Sequence, residues 1–120
     1  MIEIISSERC TGCNICVHAC PTNVFDMVKG QAPRIARQSD CQTCFLCELY
    51  CPSDALYVDP TCDRPVAANV DDIRAAGLIG KFRRESGWHE WQEDPRYPNE
   101  HWRMGENFAD IRKPPAALDS

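Results

Sequence analysis

The chain has 120 residues, a formal net charge of −5 and nine cysteines. That length fits one compact domain, and an acidic chain without a Lys/Arg block does not suit binding to nucleic acid through phosphates. The apolar runs are only a few residues long, so no membrane span is expected. The start, "MIEIISSERC", lacks the basic head, apolar stretch and cleavage site of a signal peptide, so the expected location is cytoplasmic.

The first expected element is a strand over residues 2–5, "IEII". Next comes "CTGCNICVHACP", with Cys10, Cys13, Cys16 and Cys20 followed by Pro21. The pattern predicts a loop, then a short helix that Pro21 stops because it lacks an N–H. A second strand is expected within 24–28, then a turn at "KGQAP" and a third strand over 34–36. "CQTCFLCELYCP" repeats the loop and helix, with Cys41, Cys44, Cys47, Cys51 and Pro52, and "ALYV" at 55–58 supplies a fourth strand. Shifting the chain by 31 residues lays the first four cysteines and Pro21 on the second four and Pro52. Residues 1–59 therefore read as one pseudo-symmetric unit. A unit of that size is marginal on its hydrophobic core alone and calls for a staple.

Residues 60–120 differ. They hold six of the nine prolines, all three tryptophans and only nine Leu, Ile, Val or Phe residues. That is below the ~20% expected of a self-sufficient core. A short helix is expected near 71–84, weakened by Gly77 and Gly80; the rest reads as mostly irregular. Trp, Tyr and Arg are the types that anchor interfaces, so Trp88, Trp91, Tyr97, Trp102 and Phe108 are candidate partner-binding residues. The competing reading folds them back over residues 1–59.

An odd cysteine count, strict spacing and no signal peptide point to metal ligation rather than disulfides. Zinc sites also use paired C-x2-C, but rarely three thiols at this spacing followed by C-P, twice. A [3Fe-4S] centre usually lacks the second cysteine of a run, and Cys13 and Cys44 are both present. Two [4Fe-4S] clusters are expected. Cys62 lies outside both runs and reads as a partly buried small residue. His18, between Cys16 and Cys20, reads as a helix-surface or supporting residue. Phe45, Tyr50 and Tyr57 are expected to exclude water from the second cluster. No dinucleotide or Walker loop and no nucleophile–base pair is recognisable, so no catalytic residue is assigned and the chain is not an enzyme on its own.

On both cysteine runs, the repeat and the prolines, residues 1–59 resemble the bacterial two-[4Fe-4S] ferredoxin family. The resemblance implies an α+β, βαββαβ fold with pseudo-two-fold symmetry and a low-potential electron carrier. In that pattern the fourth cysteine of each run serves the other cluster. This implies Cys10, Cys13, Cys16 and Cys51 for cluster 1, and Cys41, Cys44, Cys47 and Cys20 for cluster 2. A ferredoxin domain with a long aromatic- and proline-rich extension also resembles the β subunit of adenylylsulfate reductase, which wraps a flavin-binding subunit of the fumarate-reductase type. The first cysteine run here is regular where that subunit's is interrupted, so the resemblance implies a flavoprotein partner and not the sulfur substrate. The expected role is an electron-transfer subunit between an external carrier and FAD held in a larger partner. The alternatives are a free-standing ferredoxin with its tail folded back, and a regulatory module sensing oxygen or iron.

Overall fold

The computed structural model describes residues 1–87 and 94–96. Along the chain it forms β1 (Ile2–Ile5), α1 (Ile15–Ala19), β2 (Phe25–Asp26), β3 (Arg34–Ile35), a 3-10 turn (Gln38–Asp40), α2 (Leu46–Leu49), β4 (Leu56–Val58), α3 (Val70–Ala75) and α4 (Lys81–Glu85). Two small antiparallel sheets result, β1 with β4 and β2 with β3. This mixed α/β arrangement is compatible with a ferredoxin-like fold.

The 31-residue repeat is visible in the backbone. Left-handed φ values come in repeat pairs: Gly12 (75°) and Thr43 (54°), Asn14 (60°) and Phe45 (62°), Asn23 (58°) and Asp54 (50°). A β-branched Thr and a bulky Phe rarely adopt that region, so the loop conformation is imposed by its surroundings. Hydrogen bonds repeat as well. Ser6 N–H donates to Ala55 O at 2.7 Å, and its equivalent, Arg37 N–H, donates to Val24 O at 3.0 Å.

Helices of four and five residues have no stability of their own. α1 and α2 persist because they pack together and bury Cys16, Val17, Ala19 and Cys47. The main core joins Cys16, Val17 and Cys47 to Ile2, Val24, Phe25, Ala55, Leu56 and Val58. A second cluster joins Ile4 and Tyr57 to Ile79, with Ala68, Ile73 and Leu78 packed against it. β4 serves both clusters by ordinary alternation, Leu56 and Val58 to one side and Tyr57 to the other. β1 needs a bulge to do so. The register shifts between Ile2 and Ile4, and one extra residue turns Ile4 away from the side that Ile2 faces.

The second cluster crosses the boundary drawn at residue 60 from the repeat. Residues 60–87 form a strap laid against the ferredoxin-like unit. Glu3 Oε1 accepts from Val66 N–H at 3.2 Å and Ala68 N–H at 3.1 Å. The single helix expected near 71–84 is two. Asn69 Oδ1 caps α3 by accepting from Asp71 and Asp72 N–H at 2.9 and 3.1 Å. Gly77, at φ 71°, then ends α3, and Leu78 N–H returns to Ile73 O at 3.1 Å. Gly80, at φ 74°, starts α4. A Cβ at position 80 would lie 2.5 Å from Asp54 Cβ, so only glycine allows the strap so near that corner.

Candidate metal centres

The loops before α1 and α2 present the cysteines, and the helices carry the last thiols of each run inward. Cys16, Cys20, Cys47 and Cys51 are buried, Cys10 and Cys41 half-buried, Cys13 and Cys44 exposed. Cys20 does not stay with its own run: it lines one cavity with Cys41, Cys44 and Cys47, closed by Ile2, Val24, Phe25, Phe45 and Val58. On the other side, Cys16 lies in the field of Cys51, Cys13 and Cys10. The two groupings in space are thus the first three thiols of each run with the fourth of the other. Cys47 also feels Cys16, so the two groupings adjoin where α1 meets α2.

Burial pushes the Cys16 thiol up to about 12, and the nearby Cys51, Cys13 and Cys10 add to it. Cys47 is raised well above the ordinary thiol range, again mainly by burial and then by Cys16, Cys41 and Cys44. Without iron these thiols keep their protons; iron must displace them.

The surroundings suit thiolates. Gly12 N–H donates to Cys10 Sγ and Thr43 N–H to Cys41 Sγ, both at 3.4 Å. Val24 N–H donates to Cys20 Sγ at 3.4 Å and Ala55 N–H to Cys51 Sγ at 3.3 Å. Hydroxyls repeat the pattern, Thr22 beside Cys20 at 3.7 Å and Ser53 beside Cys51 at 3.5 Å. Donors aimed at sulfur from a fixed backbone stabilise negative charge there. Among the described residues no three His, Cys, Asp or Glu side chains converge on a single ion. Spread thiols with donors behind them fit a larger inorganic core.

Of the three aromatic residues expected to shield the second site, Phe45 alone lines its cavity. It stacks on Phe82, with ring centroids 4.6 Å apart. Tyr57 faces the hydrophobic cluster of Ile4 and Ile79 instead and donates to Asp59 Oδ2 at 2.7 Å, because alternation along β4 turns it away. Tyr50 stands at the C-cap of α2. Cys62 is exposed rather than partly buried, lying in an irregular stretch between β4 and α3. His18 is half-buried in the last turn of α1. Trp88, Trp91, Tyr97, Trp102 and Phe108 lie outside the described residues.

Three residues that sequence reasoning missed bind the strap beside these sites. Glu48 is 1% exposed, and its carboxylate accepts from Val58 N–H and Phe82 N–H, each at 2.8 Å. Burial raises its proton affinity, while those two donors pull it back. Arg83 is buried, donates to Leu49 O at 2.5 Å and faces Asp54 Oδ1 at 4.0 Å. Arg9 donates to Asp54 O at 3.2 Å and Ile79 O at 3.3 Å. Only the buried position of Glu48, between Cys47 and Cys51, was open to notice in advance.

Two interleaved sets of four thiols, backed by backbone donors in a small α/β frame, define an iron–sulfur protein of the two-cluster kind. The model of the 4Fe-4S dicluster domain matches residues 9–56. A ferredoxin from Methanothermococcus thermolithotrophicus is 39% identical over 56 residues, 45% of this chain and 92% of that protein. An uncharacterized ferredoxin of Methanocaldococcus jannaschii is 39% identical over 62 residues, 50% of this chain and 98% of that protein. No solved structure matches. The chain belongs to the ferredoxin family with two [4Fe-4S] clusters, and the strap and tail extend past what it shares with these relatives.

Proposed function

We propose that Cys10, Cys13, Cys16 and Cys51 hold one cluster and Cys41, Cys44, Cys47 and Cys20 the other, in an electron-transfer subunit of a flavin-dependent oxidoreductase. The clusters supply one-electron chemistry; this chain's residues bury them, screen their charge and present one of them to a partner. The partner is a larger FAD-binding catalytic subunit of the fumarate-reductase or adenylylsulfate-reductase type, and an external carrier exchanges electrons with the complex in the cytoplasm.

The observation that carries the reading is an open apolar groove beside the second cysteine set. Phe45, Phe82, Val58 and Leu78 line it, together with Glu85 and Ser86. Phe82 is 41% exposed. An apolar surface next to a redox centre shortens the path to a docked acceptor and excludes water from it. The chain continues from Ser86 into the segment carrying Trp88, Trp91, Tyr97, Trp102 and Phe108, the residue types that dominate interface energetics.

The packing of residues 66–86 onto the ferredoxin-like unit favours a second reading, a free-standing ferredoxin whose whole extension folds back. Anaerobic affinity purification from the native cell separates the two. A stoichiometric larger chain with bound flavin supports the subunit. A lone brown protein without flavin at low salt refutes it and leaves the free carrier.

A further inference from the structure

Among the described backbone N–H bonds to sulfur, the repeat differs at one. Cys41 Sγ accepts two backbone donors, Thr43 N–H and Ile2 N–H, both at 3.4 Å. Among the described residues its equivalent Cys10 accepts one backbone donor, Gly12 N–H. The 31-residue equivalent of Ile2 is Pro33, and proline has no N–H. Ile2 begins β1, and Pro33 stands immediately before β3. Ile2 pairs with Val58 in β1–β4, and the β2–β3 register of Asp26 with Arg34, carried back one residue, sets Pro33 against Met27, the equivalent of Val58. Pro33 is buried. The chain just before it lies against the first cysteine loop: a Cβ on Gly12 would be 3.7 Å from Gln31 O.

The Ile2 N–H is free for this role because the strand does not use it. The ladder runs through the neighbours, with Asp59 N–H donating to Met1 O at 2.9 Å, while Val58 N–H goes to Glu48. Ile2 therefore points its amide outward at sulfur.

We propose that Ile2 and Pro33 set the two clusters apart in potential: Ile2 N–H stabilises the reduced state on the Cys41 side, and Pro33 withholds the same bond on the Cys10 side. Reduction adds negative charge to a thiolate-bound cluster, and a fixed donor at the sulfur stabilises that charge. Each such bond raises the midpoint of its own cluster. Two arginines near the sites are matched in kind, whereas the buried Glu48 beside Cys47 has the apolar Val17 as its equivalent. Arg37 acts near Cys20 and is paired with Asp26 at 2.6 Å; Arg83 acts near Cys51 and faces Asp54. The Phe45–Phe82 cover acts on the Cys41 side in the opposite sense, by excluding water. These contributions rest on the ligand sets proposed above and are the same whether the chain serves a bound flavoprotein or diffuses freely.

The test is an anaerobic redox titration of the holoprotein. EPR gives the two midpoints, and the paramagnetically shifted cysteine β-proton NMR signals assign each midpoint to Cys10 or Cys41. Pro33→Ala restores a donor at a φ that alanine also adopts. It should raise the midpoint assigned to Cys10 and leave the other in place. A semisynthetic full chain with the Met1–Ile2 amide replaced by an ester keeps every side chain and removes the N–H, while Met1 O stays in place as a weaker acceptor for Asp59 N–H. It should lower the midpoint assigned to Cys41 alone. A Cys10 midpoint unmoved by Pro33→Ala, or both midpoints moving together, overturns the proposal. If Pro33→Ala does not load its clusters, the ester chain decides, and an unmoved Cys41 midpoint overturns it.

Discussion

Replacing Glu48 by Gln tests how the strap is held. The carboxylate spans two separate backbone donors, Val58 N–H on Oε1 and Phe82 N–H on Oε2, each at 2.8 Å. An amide has only one acceptor oxygen. One donor must then face an NH2 group, and a bond to a charged acceptor worth about 1.5–3 kcal/mol is lost. Removing a buried charge recovers part of that, since burial has already raised the proton affinity of Glu48. The net cost is about 1–2 kcal/mol, a sizeable share of the ~5–15 kcal/mol typical of a whole domain. The loss should fall on the contact between α4 and β4. Hydrogen exchange of the holoprotein should show the Phe82 amide opening roughly tenfold faster, since 1.4 kcal/mol is a factor of ten. Anaerobic urea unfolding should shift to lower midpoint with an unchanged slope. If exchange at Phe82 and Val58 and the urea midpoint all match wild type, the carboxylate is not the tie and the strap is held by Ile79 and Arg83 instead.

The remaining expectations are shorter. Cys20→Ala should damage the cluster signal of the Cys41, Cys44 and Cys47 side, and Cys51→Ala that of the Cys10, Cys13 and Cys16 side; EPR of each variant checks this, and loss confined to the variant's own run would refute the crossed sets. Gly80→Ala meets Asp54 Cβ at 2.5 Å at a φ of 74° and should cost about 2–4 kcal/mol, read as a lower thermal midpoint. Reconstituting the iron-free chain in weak buffer at neutral pH should release protons. Burial pushes Cys16 up to about 12 and raises Cys47, so both enter as neutral thiols; an indicator dye that does not move would contradict ligation through thiolate sulfur.

Much of the site was legible because it is local. Three thiols two residues apart need only a loop, and the repeat placed each strand within a residue or two of where it lies. The left-handed turn at Gly12 was also readable, although Thr43 adopts the same turn without glycine's freedom. What could not be read depends on residues far apart in sequence. Glu48 and Phe82 are separated by 34 residues, and nothing in "CELYCP" says that its carboxylate will meet a helix from the extension. The β1 bulge has the same character. "IEI" at residues 2–4 reads as simple alternation, yet Ile2 and Ile4 serve different hydrophobic clusters because the strand must satisfy both the thiol-lined core and Ile79. Tyr57 was misplaced for want of that second cluster. The helix near 71–84 divided where its two glycines stand, a local signal whose outcome was set by Asp54.

The exchange of Cys20 and Cys51 between the halves has a consequence for how the chain comes into being. A ribosome adds roughly 5–20 residues per second, N-terminus first. The thiols around Cys16 are complete only when Cys51 has emerged, although Cys10, Cys13 and Cys16 are made long before. The thiols around Cys47 have the opposite history, with Cys20 waiting for its companions. On the proposed ligand sets, a chain interrupted between residues 20 and 47 holds six of these thiols or fewer and no complete set, and one that stops between 47 and 51 completes only the set of Cys20, Cys41, Cys44 and Cys47. The strap comes last, and Phe82 reaches Glu48 only after every cysteine of both sets has been made.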